Sequence, residues 1–198
     1  MYPKSVSSLI ECLKDLPGIG EKSAERLAFA MLGFDKDRLT TFATAISDVR
    51  DKIRRCSVCN NISETAVCPI CGNNNRKKDT IFVVEKPKDV ALFERLGVYN
   101  GLYHVLDGLI SPLEGINPDD INIKSLLDRV KNNDVSEIIL ALKPSIEGET
   151  TMQYIKKILE NEKVKVSKIA TGVPIGTDIE YIDTMTLEMA LEERKDIS

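Results

Sequence analysis

Four cysteines stand close together as Cys56-x2-Cys59-x8-Cys68-x2-Cys71. Two C-x-x-C knuckles at this separation suit a tetrahedral thiolate metal site. Zinc takes four such donors at about 2.3 Å. Each tight turn lets two thiolates reach one ion. The stretch between the knuckles, residues 60–67, is polar and too poor in apolar side chains to hold a shape by itself. The metal is therefore expected to fold this segment. Four sulfurs close the coordination sphere and leave no position for substrate, so the expected ion is one structural zinc per chain. Iron–sulfur clusters use the same four donors and stay open as an alternative.

A second constellation is Leu16-Pro17-Gly18-Ile19-Gly20-Glu21-Lys22-Ser23-Ala24. Gly18 and Gly20 permit backbone torsions closed to other residues and let a phosphate approach the main chain. The helix that follows offers free N–H groups and the positive end of its dipole. Lys22 and Arg26 are four apart and share a face of that helix. The pattern resembles a helix-hairpin-helix, a sequence-independent binder of DNA backbone. The plainer reading is a packing turn between two helices.

A third group is acidic. Glu85 closes an apolar strand, where open α/β sheets place their sites. Leu142-Lys143-Pro144-Ser145-Ile146-Glu147-Gly148-Glu149 follows a later strand. This arrangement resembles the Toprim domain of topoisomerases and primases. Active members hold Mg²⁺ with an Asp-x-Asp pair after the later strand. Lys143-Pro144-Ser145 stands there instead, and a lysine repels a hard cation that needs oxygen ligands. Glu147 and Glu149 offer partial compensation or a partner surface. No G-x-x-x-x-G-K-[ST] occurs, so P-loop nucleotide hydrolysis is not expected.

The elements that position these groups follow from periodicity. Residues 8–16 read as a helix with Leu9, Leu13 and Leu16 on one face. A second helix runs from about Glu21 to Gly33, with Ala24, Leu27, Ala28 and Met31 in step. A third spans 38–55 with Phe42, Ile46, Val49 and Ile53 inward. From Thr80 onward strands (81–85, 102–106, 138–142, 164–170) alternate with helices (89–96, 123–130, 150–159, 184–194). Loops are expected at 111–122 and 171–183, with Asp183 capping the final helix. Such alternation implies a parallel sheet covered on both faces.

The 198 residues suffice for one large or two small domains beside the zinc module. The net charge of −4 is unevenly spread. Residues 1–55 carry ten Lys/Arg against eight Asp/Glu, whereas residues 80–198 carry fourteen against twenty-one. The basic surplus lies at the front, with the hairpin and the zinc module. There is no apolar run of membrane-spanning length. Met1-Tyr2-Pro3-Lys4 lacks the layout of a signal peptide, so thiols rather than disulfides are expected. Cys12 is expected to be a buried small hydrophobe. The lone His104 falls within a strand and is expected to be a satisfied core or edge residue rather than a ligand.

Taken in order, these parts resemble the RecR family of bacterial recombination mediators over nearly the whole chain. The matching residues are Leu-Pro-Gly-Ile-Gly-x-Lys-Ser-Ala-x-Arg-Leu-Ala at 16–28, Val-Val-Glu at 83–85, Glu-Gly-Glu at 147–149 and Gly-x-Pro-Ile-Gly-x-Asp-x-Glu-Tyr at 172–181. Lys143 and Thr177 depart from the family's usual Asn and Gly. The resemblance implies an α/β protein in four parts. These are a helical helix-hairpin-helix region (1–55), a small four-cysteine zinc finger (56–79), a parallel-sheet Toprim domain (80–170) and a C-terminal loop and helix (171–198). It implies a non-enzymatic, cytoplasmic DNA-repair protein that joins the nucleoid during repair. Such proteins form tetrameric ring-like clamps and act with RecO and RecF partners to help load RecA at single-stranded gaps. Gly18, Gly20, Lys22 and Arg26 match the DNA-contacting hairpin. The competing class is a Toprim-type, Mg²⁺-dependent nuclease or topoisomerase-like enzyme. A protein-binding adaptor without DNA contact is a third.

Overall fold

Helical spacing shapes the first 53 residues, and strands alternating with helices shape most of the rest. The computed structural model describes residues 2–170, 172–192 and 194, and its contacts divide the chain into two units, 1–53 and 54–198.

In the first unit α1 (Lys4–Lys14) packs against α2 (Glu21–Leu32). Ile10 of α1 meets Ala24 and Ala28 of α2, with Leu9, Leu13 and Ile19 around them. The two alanines, one turn apart, let the helices approach closely. Cys12 is exposed, contrary to expectation. It lies two residues from Ile10, which rotates it away from the apolar face. Leu16, four residues further on, stands beyond the helix end and is itself exposed. α3 (Lys36–Lys52) begins at Asp35, whose side chain accepts from the Arg38 amide at 2.7 Å. Its apolar stripe is also a correction. Phe42, Ile46, Val49 and Ile53 are all exposed, and α3 buries no residue. Periodicity detects an apolar face but not whether the same chain covers it.

The second unit opens with a two-stranded antiparallel ribbon, β1 (Arg54–Arg55) and β2 (Ile62–Ser63), and the short helix α4 (Pro69–Gly72). Then come β3 (Thr80–Val84), α5 (Pro87–Leu96), β4 (Leu102–Val105), α6 (Ile123–Asn132), β5 (Glu137–Ala141), α7 (Ile146–Ile158) and β6 (Lys165–Lys168). The four strands are parallel in the order β4-β3-β5-β6. Ile81 stands opposite Leu102 and Ile138, which fixes the register at the centre. Ile81, Val83, Ile138 and Leu140 face one side and bury Leu126 and Val130 of α6 with Met152 and Ile155 of α7. Phe82, Val84, Tyr103 and Val105 face the other side, under Val90 and Phe93 of α5. Gly97 ends α5 in the left-handed region, at φ 66°.

α7 starts at Ile146, four residues before the expected position. The Ser145 hydroxyl accepts from the Gly148 amide at 3.2 Å and starts the helix. Gly148 is there because a Cβ would lie 1.9 Å from the Lys143 carbonyl oxygen. Glu147 and Glu149 therefore sit in a helical first turn rather than on a loop. Two single 3-10 turns, Pro112–Glu114 and Pro118–Asp120, interrupt the long loop. α8 (Thr184–Glu192) is capped by Asp183, which accepts from the Thr186 amide at 2.9 Å. Within the expected C-terminal part, residues 171, 193 and 195–198 lie outside the described residues.

His104 is fully buried on β4. The Arg129 guanidinium can only donate, so Nδ1 of His104 is the acceptor at 3.2 Å. Nε2–H then donates to the Asn122 carbonyl at 2.7 Å. Burial, with Arg129 beside it, lowers the pKa to about 3. An unfolded histidine titrates near 6.5, so the unfolded chain binds the extra proton between these values. The stabilisation is complete above pH ~6.5 and is lost as pH falls toward 3, by up to ~1.4 kcal/mol per pH unit. The chain has one histidine, so its ring resonances are unambiguous. They should show a neutral ring down to about pH 4.5. A midpoint near 6.5 in the folded protein would contradict this account.

Candidate functional site

The cysteine segment is a thiolate cage. Cys56, Cys59, Cys68 and Cys71 bring their sulfurs within 4.8 Å of one another. Cys59 and Cys68 Sγ are 3.6 Å apart. Bonds of about 2.3 Å to a tetrahedral ion require edges of roughly 3.8 Å, so the set fits zinc. Asn60 takes a left-handed conformation, φ 61°, and its amide donates back to the Cys56 carbonyl at 3.0 Å to close the first knuckle. In the second, the Cys71 amide points at Cys68 Sγ at 3.5 Å. The Cys68 amide donates to Cys56 Sγ at 3.2 Å. Such N–H···S contacts hold the sulfurs in place and favour thiolate. The crowded sulfurs oppose joint ionisation. Donation by Cys59 and Cys71 pulls the Cys68 thiol down, whereas the hydrogen bond to Cys68 pushes the Cys59 thiol up. Cys71 is pushed up by its hydrogen bonds to Cys59 and Cys68. Only a cation lets all four ionise together.

The cage is fastened to the outer edge of β4. The Val105 amide donates to the Cys59 carbonyl at 2.9 Å, and Asn60 Nδ2 donates to the Val105 carbonyl at 3.1 Å. Arg55 pairs with Asp107 at 2.5 Å and donates to the Asn60 carbonyl at 3.2 Å. Arg76 pairs with Glu94 of α5 and donates to the Gly101 carbonyl at 2.7 Å. Sequence reasoning misses these contacts of Arg55, Arg76 and Asn60 because Asp107, Glu94 and Val105 are distant in the chain. Arg129 carries a signal, standing three residues after Leu126 on an otherwise apolar helix face.

The hairpin is built as a turn and a helix start. Gly18 adopts φ 80°, whereas Gly20 has an ordinary φ of −84° and serves as the residue before α2. Only Gly18 uses the torsional freedom expected of both. A Cβ at either position would meet nothing within 4 Å, so both backbones are open to solvent. No side chain caps α2, and its first N–H groups point outward. Lys22 and Arg26 are exposed on this helix, and neither forms an ion pair among the described residues.

The chain leaves β3 toward β4 and leaves β5 toward β6, so β3 and β5 flank a topological switch point. A cleft of about 500 Å³ opens beyond their carboxyl ends and is lined by Glu85, Asp89, Lys86, Lys88 and Lys143. Glu85 is paired with Lys86 at 3.2 Å. Asp89 accepts from the Lys86 amide at 2.9 Å. Three lysines against two engaged carboxylates disfavour a divalent cation. Glu147 and Glu149 do not line this cleft. Glu147 accepts from the Ser145 hydroxyl at 2.8 Å, and its pKa is lowered by backbone hydrogen bonding and by Ser145. Glu149 accepts from Gln153 at 2.8 Å.

Comparison with known proteins gives consistent findings. Residues 6–50 match the RecR helix-hairpin-helix family, 53–73 the RecR four-cysteine zinc finger domain, 79–170 the Toprim domain and 172–195 the RecR C-terminal family. The chain is 50% identical over 193 residues to a Recombination protein RecR of Clostridium perfringens, covering 98% of this chain and 97% of that one. It is 47% identical over 194 residues to that of Lactobacillus helveticus, with 98% of each covered. For Natranaerobius thermophilus the identity is 44% over 196 residues, covering 99% and 98%. With the four sulfurs in this geometry, the cage is the site of one structural zinc.

Elemental analysis should therefore find one zinc per chain. Cys59→Ser should release it and free the edge of β4, lowering protection of the Val105 amide against hydrogen exchange by ~10-fold or more. Iron in the protein, or unchanged Val105 protection in the variant, would refute the assignment.

Proposed function

The chain belongs to the RecR family and serves DNA recombination and repair, and on that premise we propose that it acts as a non-enzymatic DNA clamp. The observation that carries this reading is the uncapped start of α2, with Lys22 and Arg26 exposed beside it and in no ion pair among the described residues. Free N–H groups and two cations suit phosphate oxygens and read no base, so binding is sequence-independent. Gly18 and Gly20 let the backbone of the strand come close.

One hairpin makes few phosphate contacts, and the rest of the chain is acidic. Several hairpins around one DNA would act by avidity, which gains on the order of 10²–10⁴ in apparent affinity. A homo-oligomeric ring, most simply a tetramer, meets this need. The exposed apolar stripe of α3 and the exposed Ile175, Ile179, Tyr181 and Leu191 of the C-terminal part support association of copies. The ring works in the cytoplasm, at the nucleoid, with RecO and RecF partners, and helps RecA occupy single-stranded gaps. Glu85, Glu147 and Glu149 are offered as partner-contact positions on the Toprim domain.

Lys22→Ala with Arg26→Ala should weaken binding equally for all DNA sequences. The slope of log affinity against log salt should become shallower by ~2 per engaged hairpin, with zinc content and oligomer mass unchanged. Unchanged affinity and slope would place the DNA site elsewhere.

The lysine-lined cleft argues against inherited magnesium chemistry. Purified protein with labelled DNA and Mg²⁺ should show no cleavage, relaxation or ligation, and it should not hydrolyse ATP. Activity that persists through purification and vanishes in Glu85→Gln would establish the Toprim enzyme reading instead.

A further inference from the structure

A buried cation without an anion is an expensive thing to build into a core. Arg129 is such a group. It projects from α6 and is only 9% exposed. Its hydrogen-bond acceptors are both neutral, the Tyr103 carbonyl at 2.7 Å and Nδ1 of His104 at 3.2 Å. No carboxylate pairs with it among the described residues. His104 cannot supply the missing charge, since it is neutral. An unpaired buried charge is strongly destabilising, so a compensating anion is expected close by.

The strand geometry indicates where that anion is. The amide of Leu106 donates to the Val84 carbonyl at 3.0 Å, so the inward edge of β4 belongs to β3. Tyr103 and Val105 present their backbone groups to the opposite, outward edge. Arg129 occupies the Tyr103 carbonyl, and the Cys59 carbonyl occupies the Val105 amide. These two positions are two residues apart, a rise of about 6.6 Å. The guanidinium thus stands along the same edge as the first zinc knuckle. α4, which carries Cys71, places Ile70 both against the cysteines and against the cluster containing Tyr103 and Val105. Four thiolates on one Zn²⁺ carry a net charge of −2.

We propose that Arg129 is the counter-cation of the zinc–tetrathiolate, a positioning residue that joins the metal site to the Toprim sheet by charge. Burial lowers the Arg129 pKa, and the cysteines, Cys71 foremost, act in the opposite direction. The relation is reciprocal. Zinc completes the charge balance of the sheet edge, and Arg129 strengthens the hold on zinc by stabilising its anionic cage. It rests on the zinc assignment above, which metal analysis of the wild-type chain checks independently.

A charge series in the full-length protein tests the idea. Arg129→Lys keeps the charge, and Arg129→Gln keeps a hydrogen-bond donor but loses the charge. Zinc affinity is read by competition with a chromophoric chelator. The Gln variant should bind zinc ~10–100-fold more weakly, and the Lys variant should stay close to wild type. In urea unfolding the Gln variant should be less stable than wild type with zinc bound. After the metal is stripped it should be at least as stable, because no uncompensated charge remains. Wild-type zinc affinity in the Gln variant would overturn the proposal. So would equal losses in both variants, or equal destabilisation with and without zinc, since these mark a hydrogen-bonding role alone. If the Gln variant does not fold, the Lys variant decides. Retained zinc supports the charge role, and lost zinc overturns it.

Discussion

The outer edge of β4 is the constraint on which the second unit depends. A terminal strand presents N–H and C=O groups that must find partners or stay exposed to other chains. Here the partners come from non-strand elements. Cys59 takes the Val105 amide, Asn60 and Asn122 reach the Val105 carbonyl, and Arg129 reaches the Tyr103 carbonyl. The zinc finger is thus part of the sheet's boundary. Its polar loop has no core of its own, so the metal shapes it and the strand edge holds it. Arg55 and Arg76 add ion pairs on either side, to Asp107 and to Glu94. The Arg76 pair is the more sheltered and resists solvent screening better than a surface pair does.

The same topology accounts for the cleft beyond β3 and β5. Parallel strands that diverge at a switch point leave a cleft whatever residues line it. Glu85 occupies the position from which a metal-binding carboxylate would act. Lys86 already pairs with it, and Lys143 stands across the cleft. Ser145 and Gly148 turn the chain directly into α7, which places Glu147 and Glu149 away from Glu85. The side chains at the loop and helix starts, not the strands, set the charge that lines the cleft.

Much of this is legible in the sequence, and the failures have physical causes. The cysteine cage is a local property of spacing and can be read directly. The parallel sheet follows from apolar strands alternating with amphipathic helices. The start of α7 escapes such reading because glycine lowers helix propensity. In this case contact with the Lys143 carbonyl demands glycine regardless of propensity. The α3 stripe is misplaced because periodicity reports amphipathic character but not coverage, and Cys12 because it lies off the face that carries Ile10. Of the two hairpin glycines, only Gly18 needs the torsion that the residue type suggests for both. Asn60 escapes because its role exists only once strand β4 and the knuckle meet, forty-five residues apart in sequence.

Charge accounting joins these observations. The chain is acidic overall, yet cations decide its specific contacts. Lys22 and Arg26 lie at the surface, where desolvation is small, and form no ion pair among the described residues. Arg129 is paired with no carboxylate among the described residues and lies in the interior, where only a fixed anion can offset its burial. Lys143 meets carboxylates that already have partners, so it raises the local potential without forming a metal site. Exposure separates the three cases. A free cation at the surface is a binding site in waiting, and one in a cleft is a deterrent to divalent ions. A buried one requires a permanent counter-charge, and the tetrathiolate beside β4 has the sign and the position to be it.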